Sequence, residues 1–486
     1  MSTAKSNGKR QRREPSINRT LATNRRTQKG KMGTMTLQSN ANTVTSFSGR
    51  CCSISTFAFL LLIVSSALAF SQPSSLANPP QQGNKIACIL NLNARAVNYK
   101  FVRAAQEILG EENVFATATE EASHEAIKTI VARGYEYIVP GGGDGTLCTI
   151  INSLVDARKA NKVHDTTKLP KFAYLPLGTG NGMAPLVGPR FRGRTKIIKM
   201  QKTLTRLKEI VDECEKNSDM IMPLLKCPMV EVTRPESANS TVPNSELCFF
   251  AGSGFDSLML SDFNIIKRWS KRRVKPIRRF LGSVAGYSVA LVTRTLPSCL
   301  IWGKHKLICR ITIPKASAST EACRATSTYF MDPRRGDTAI KVRPNNCQSN
   351  KDHFPDDIAD DRQLLFEGTT GIVAAGATPY YGGGLKLFPF SRVQPHGMHL
   401  RIGRINPFVG FLNIPWIFRG TYRHYNMKCL DFVGKDFEVE LSKPYPFQHS
   451  GEADRWPLKK FRLRVADEEL EFVDFLKPRV VLGYDE

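Results

Sequence analysis

The stretch YIVPGGGDGTLCTIINSL, from Tyr137 to Leu154, sets glycines, one aspartate and a threonine between a short apolar run and a helix-like pattern. A helix start carries unpaired backbone N–H groups, and the helix dipole adds partial positive charge there. Glycine lets the backbone approach a ligand closely and adopt positive φ. That combination suits phosphate. Asp144 would repel phosphate directly, so it makes sense with a Mg2+ between its carboxylate and the phosphate oxygens. Thr146 is placed to hydrogen-bond the same group. Gly142, Gly143, Asp144, Gly145 and Thr146 thus read as a cradle for a nucleoside triphosphate and its metal. The segment is not a Walker A loop, because no Gly-Lys-Ser/Thr follows. A Gly-Gly-Asp-Gly run alone is often just a turn, and a second turn changes the odds. LPLGTGNGMA, Leu175 to Ala184, also follows a strand candidate and offers Gly178, Thr179, Gly180 and Asn181. Both turns are expected at the carboxyl edge of one open sheet, where α/β proteins bind ligands.

The elements that must position these turns alternate. KIACIL, Lys85 to Leu90, is a strand candidate ending in the polar turn Asn91-Leu92-Asn93. From Glu120, Ala122, Ala126, Ile127, Ile130 and Val131 recur at helical spacing, and Gly134 stops the helix. YEYIV, Tyr135 to Val139, is the next strand. Leu147, Ile150, Ile151, Leu154 and Val155 mark one face of the helix after the glycines. The alternation predicts an α/β domain with a mainly parallel, Rossmann-like sheet. Beyond about residue 225 short strand patterns dominate, among them PMVEVT, ELCFFAGSGFDS, LICRITIP, GIVAAGA, MHLRIGRI, FEVELS and FRLRVA. One helical stretch, Gly282 to Leu296, interrupts them. A polar segment at about 320–363 reads as a mobile surface insertion.

The chain has 486 residues, a formal net charge of +26 and 41% hydrophobic residues. It is long enough for two or three domains. The charge favours an anionic partner. Part of it lies between Met1 and Arg50, which hold a single acid, Glu14, and read as disordered. The twelve cysteines show no zinc-like spacing and read as reduced, mostly buried thiols. ISTFAFLLLIVSSALAF, Ile54 to Phe70, is uncharged and at the short end for a membrane-spanning helix. Ala67-Leu68-Ala69 fits a secretory cleavage pattern. Two readings stay open: a signal with translation starting at Met32 or Met35, or an uncleaved anchor with a cytosolic basic flank. The expected location is the ER membrane, reached through the secretory pathway. The Ala-Phe junction and the following FSQPSSLANPPQQGN also resemble a bipartite plastid presequence, which is the alternative.

GGDGT with its apolar helix and Asn152, followed about thirty residues later by PLGTGN, resembles the catalytic domain of the diacylglycerol kinases. That superfamily also holds sphingosine, ceramide and bacterial lipid kinases. The resemblance runs from about Lys85 to Gly483. It implies an N-terminal α/β domain (85–225), a C-terminal β-sandwich (226–475) and a last segment (476–486) returning as a strand to the first domain. Ahead of these lie a basic segment (1–53), the signal or anchor (54–70) and a linker (71–84). It implies that Asn91, Asn93 and Thr119 join the two glycine turns at the nucleotide. PYPFQHSGEADRW stands where the family carries Asp-Gly-Glu, which implies Glu452 as catalytic base and Asp144 as metal ligand. GSGFDS, with Asp256, and GATPYYGGGLKLFP resemble two further family turns. Three positions depart: Thr149 where Glu is common, Ser450 for the triplet's Asp, and His396 for a structural-metal aspartate.

The implied activity is Mg2+-dependent transfer of the ATP γ-phosphoryl group to a lipid hydroxyl. The GGDG and PLGTGN forms tilt the acceptor towards diacylglycerol, with a sphingoid base as the other choice. The basic segment 267–279, with Trp269 and Phe280 at its borders, is expected on an anionic membrane surface; the other reading is a solvated basic face. No nucleic-acid fold signature accompanies it, and no nucleic-acid partner is expected. The sequence leaves the oligomeric state open. The rivals are an NAD kinase, which shares GGDGT, and an inactive relative that binds phospholipid or nucleotide.

Overall fold

The strand Ile86–Asn91 alternates its side chains between two cores. Ala87 and Ile89 join one, and Ile86, Cys88 and Leu90 the other. It is the centre of a parallel sheet, between Val114–Thr117 and Tyr137–Gly142. Lys171–Phe172 and Leu175–Pro176 continue that sheet on the far side of Tyr137–Gly142. Both faces are covered, which explains the unbroken apolar runs. Helices Tyr99–Leu109 and Lys196–Lys216 pack on one face, and Glu120–Arg133 and Asp144–Ala160 on the other. These coordinates are a computed structural model that describes residues 85–481. The description omits 95–96, 161–167, 179, 189–194, 218, 236–244, 275–276, 278–279, 282–283, 304–305, 316–326, 343–352, 355–356, 423–427, 455 and 478–479. The signal or anchor segment 54–70 and its flanks, 1–53 and 71–84, therefore lie outside the described residues.

The helices read from periodicity form as expected. Leu147, Ile150, Ile151, Leu154 and Val155 are all buried. Thr119 caps Glu120–Arg133, its hydroxyl accepting from the Ala122 N–H at 3.2 Å, and Gly134 ends that helix in the left-handed region. Around the parallel sheet, the helices Tyr99–Leu109 and Lys196–Lys216 and the strand Val114–Thr117 escaped the sequence pattern. The stripe of Met200, Leu204, Leu207 and Val211 in Lys196–Lys216 is thin among charged residues, and Val114–Thr117 is only four residues long.

The second half is antiparallel. An eleven-stranded sheet runs in the order Arg362–Thr370, Leu307–Pro314, Asp436–Tyr445, Leu458–Val473, and then crosses into the parallel strands through Lys171–Phe172. An eight-stranded sheet holds Thr338–Lys341, Tyr329–Asp332, Cys429–Gly434, Met398–Gly403, Ile372–Gly376, Phe250–Gly254, Phe447–His449 and Glu452–Ala453. The inner faces of both sheets share one core, with Ile311 and Val439 from the first and Ala375 and Leu400 from the second. The architecture is a Rossmann-like α/β region joined to a β-sandwich, and the long strand Leu458–Val473 belongs to both. Val480–Val481 pairs with Met220–Ile221, within the first domain, in a separate two-stranded ladder, while Leu458–Val473 lies along Lys171–Phe172.

Three other expectations change. Phe255–Ser270 is a helix, whereas the glycine-rich run before it read as continuous strand. The stretch read as Gly282–Leu296 is a Val284–Ala290 helix, a π-helical turn Leu291–Thr295 and a further helix Leu296–Trp302. The insertion at 320–363 is partly regular: Tyr329–Asp332 and Thr338–Lys341 form a hairpin that extends the eight-stranded sheet. All of the described cysteines but the half-buried Cys214 are buried.

Asn152 ties the two halves together. Its amide donates to the Leu247 carbonyl at 2.8 Å and accepts from the Leu247 N–H at 2.8 Å. Asn152→Leu leaves both backbone groups of a buried residue unpaired. It is expected to destabilise the fold by about 2–4 kcal/mol, measured by urea unfolding, and Asn152→Gln is not expected to restore it because its amide sits one methylene too far out.

Candidate functional site

The sequence-derived residues converge at the carboxyl ends of the parallel strands. Asn91 ends the central strand, and its amide donates to the Thr146 hydroxyl at 2.9 Å. Asn93 donates its N–H to Asn91 Oδ1 at 2.8 Å and its side-chain amide to the Ala118 carbonyl, which braces the loop ahead of Thr119. Gly142 ends the next strand. The Gly143 carbonyl accepts from the Leu147 N–H at 3.1 Å and starts the Asp144–Ala160 helix. The N–H groups of Asp144, Gly145 and Thr146 are therefore in the first turn, without intrahelical partners.

The second glycine turn packs directly on the first. Gly142 O accepts from the N–H groups of Leu177 and Gly178 at 2.9 and 2.8 Å. A Cβ on Gly178 would lie 2.8 Å from Gly143 N, so only glycine permits the approach. Asn181 holds a positive φ of 49°. Its Oδ1 accepts from Gly178 N and from the Tyr174 hydroxyl at 3.1 Å each, and its amide donates to the Pro176 and Gly178 carbonyls. Its side chain is committed to bracing the turn. Gly180 faces Asp144, a Cβ there lying 3.1 Å from Asp144 Oδ2. Thr179 lies outside the described residues.

Asp144 is 7% exposed. Its Oδ2 accepts from the Gly182 N–H at 2.7 Å, and its Oδ1 is buried without a hydrogen-bond partner. Burial pushes its carboxyl up to about 6, against the Gly182 and Met183 amides and the Tyr174 hydroxyl, which pull it down.

Glu452 reaches the same place from the other half. It lies so close to Gly145 that a Cβ there would be 2.7 Å from Glu452 Cδ. Only a glycine at 145 lets this carboxylate reach the helix start. The residue is exposed to solvent, with its carboxyl packed against Gly145. Desolvation raises its pKa; the charges of Glu246 and Glu120 add to it, and those of His449 and Lys267 oppose it. Glu452 is carried by a hairpin in which His449 faces it across the ladder. The two turn residues, Ser450 and Gly451, have φ of 44° and 83°, the geometry of a tight two-residue hairpin. The Ser450 hydroxyl accepts from the Phe249 N–H at 3.0 Å, so this departure from the family triplet anchors the turn to the neighbouring strand. His396 is elsewhere, 3.9 Å from Glu469, and Thr149 is half-buried on its helix.

Other contributors were not legible in the sequence. Arg234 grips Asp454 with two hydrogen bonds of 3.0 Å and also reaches Glu246. His449 bridges Asp454 at 3.2 Å and Glu246 at 3.4 Å. These four residues fix the hairpin that presents Glu452. Burial alone would lower the His449 pKa, but the bond to Asp454 and the two carboxylate charges outweigh it, and the pKa is raised. The stabilisation is therefore fully present below the unfolded value of about 6.5 and is lost as pH rises through the higher folded value. His449→Gln is expected to flatten this alkaline loss in thermal unfolding followed against pH; an unchanged slope would contradict it. Asp256 accepts from Tyr381 and, at 3.2 Å, from Gln448, and so links a third glycine-rich turn to the hairpin. That turn touches the site through the Gly383 N–H, which donates to Gly180 O.

Residues 85–220 match the family model of the diacylglycerol kinase catalytic domain. No curated protein matches the chain. Among solved structures, a diacylglycerol kinase from Bacillus anthracis str. Sterne is similar at 10% identity and a TM-score of 0.43, covering 81% of this chain and 98% of that one. An NAD kinase from Archaeoglobus fulgidus in complex with ATP is similar at 12% identity and a TM-score of 0.29, covering 80% and 93%. The family match falls on the segment that carries both glycine turns, and the similarity to the diacylglycerol kinase catalytic domain is that of residues 85–220.

Proposed function

We propose that the chain is an ATP-dependent lipid kinase that phosphorylates the hydroxyl of a diacylglycerol-like lipid. The observation that carries the reading is the contact of Glu452 with Gly145 at the start of the Asp144–Ala160 helix. It brings a carboxylate of raised pKa to the backbone best suited to hold phosphate. The N–H groups of Asp144, Gly145 and Thr146 donate to the terminal phosphates. The paired glycines keep side chains out of that space, and Asn181 and Tyr174 hold the two turns in register.

A divalent cation fits the residues present. The Asp144 Oδ1 atom is a buried carboxylate oxygen lacking a partner, and Mg2+ is commonly held by one or two carboxylates with substrate phosphates. Bound there, Mg2+ would supply neutralisation of charge on the phosphoryl oxygens. The chain's own residues do the rest. The acceptor hydroxyl oxygen attacks the γ-phosphorus, the bond from that phosphorus to the bridging oxygen of ADP breaks, and Glu452 takes the hydroxyl proton. The same reading makes the protein membrane-associated, with residues 54–70 as signal or anchor, and puts the basic segment 267–279 against anionic lipid.

The test is incubation of the full chain in detergent with Mg2+, ATP labelled in its γ-phosphate and a mixed lipid extract, with NAD as a parallel acceptor. A labelled lipid is expected, and its identity names the substrate. Label in NAD alone, or ATP bound without any transfer, would overturn the reading.

A further inference from the structure

Two short helices, Pro407–Leu412 and Ile414–Arg419, stand between neighbouring strands of the eight-stranded sheet. Ile414–Arg419 buries none of its residues. Phe408, Leu412, Ile414, Trp416 and Phe418 are each 44–56% exposed. Scattered apolar side chains on a surface are ordinary; five large ones within one short segment are not. The helix Leu296–Trp302 packs beside Pro407–Leu412 and adds Leu300 and Ile301, 63% and 69% exposed.

The segments that build this face carry charge of one sign. The chain has no Asp or Glu between Asp262 and Glu321, and none between Glu367 and Asp431. The first span carries the basic run from Lys267, and the second carries Arg404 and Arg419. The face also adjoins the turn that touches the candidate site. Phe418 lies against Gly384, where a Cβ would be 3.7 Å from its ring, and the neighbouring Gly383 is bonded to Gly180.

We propose that the helical pair 407–419, with Leu300 and Ile301 beside it, is a docking surface for an anionic lipid bilayer, lying in the interface at the mouth of the site. Apolar residues on one side with basic residues at the rim are the pattern of helices that lie in a membrane plane, and Trp prefers that depth. No described helix is long and apolar enough to cross a membrane, and this element is far too short to do so. The choice of a bilayer as partner rests on the lipid-kinase reading; the surface itself does not.

The experiment uses the full chain with Trp269, Trp302 and Trp456 replaced by Phe, leaving Trp416 as reporter. On vesicles of phosphatidylcholine and phosphatidylserine, Trp416 emission is expected to shift to the blue and to be quenched by lipids brominated on the acyl chain. If the triple variant does not fold, the same quenching is read as the difference between the native chain and Trp416→Phe. Phe408→Asp with Leu412→Asp is expected to weaken vesicle binding about tenfold. Trp416 left unquenched while the chain sediments with vesicles would overturn the proposal. So would Trp416 already shielded before vesicles are added, since the face would then be covered by protein. Quenching without any labelled lipid would uphold the surface and count against the kinase reading alone; labelled lipid with Trp416 unquenched would do the reverse.

Discussion

Glu452→Gln is expected to lower phosphoryl transfer by about 10²–10⁴-fold, the usual worth of a positioned general base, with nucleotide binding retained. The substitution keeps the size of the side chain and its place against Gly145, so the cleft does not collapse. It removes only the capacity to accept a proton. The pH profile gives a second readout. A base works when ionised, and desolvation raises the Glu452 pKa. The acid limb of the rate is therefore expected above the ordinary glutamate value of about 4.3, and it should vanish in the variant. A variant with unchanged rate would remove Glu452 from the chemistry. A variant that no longer binds ATP would make it a structural residue.

Asp144→Asn is expected to act in opposite directions on function and stability. Phosphoryl transfer should fall to the background, because the amide cannot hold a cation against the phosphates. The nucleotide-free protein should become more stable at neutral pH, by about 2–3 kcal/mol. The cause is the burial of a carboxylate with one unpartnered oxygen. Its folded pKa, about 6, stands above the unfolded value. The ionised form is thus penalised on folding, and the penalty grows as pH rises from the unfolded to the folded value. Thermal unfolding without metal or nucleotide should separate variant and native chain at neutral pH and bring them together below about pH 4. Equal stability at both would mean that Asp144 is not strained by its burial.

The placement of the two glycine turns was legible because it is local. A strand end, a bare backbone and an apolar helix stripe follow one another in the chain, and Gly178 and Gly143 meet because no side chain intervenes. Periodicity located the Asp144–Ala160 helix for the same reason. What joins distant segments was not legible. Nothing near Glu452 says that Arg234 and Asp454 will pair, or that Tyr381 and Gln448 will share Asp256. Asn181 shows the limit within a single motif. Its place in PLGTGN marks it for the nucleotide, yet all of its side-chain bonds go to its own turn and to Tyr174. Ser450 is the converse. It departs from the family triplet, but its hydroxyl anchors the hairpin that carries Glu452 to the neighbouring strand. The helix Phe255–Ser270 was missed because its first turn, Phe255-Asp256-Ser257, continues a strand-like run of small and aromatic residues.

The central claim is that Asp144 and Glu452 flank one reaction centre, with the terminal phosphate of ATP between them. A crystal structure of the protein with Mg2+ and a non-hydrolysable ATP analogue tests it most directly. The account predicts the γ-phosphate at the N–H groups of Asp144, Gly145 and Thr146, a metal on the Asp144 carboxylate, and Glu452 on the open side of the γ-phosphorus, opposite the bridging oxygen. An analogue bound with its γ-phosphate away from the Asp144 turn, or with Glu452 turned out of reach of that phosphorus, would contradict it.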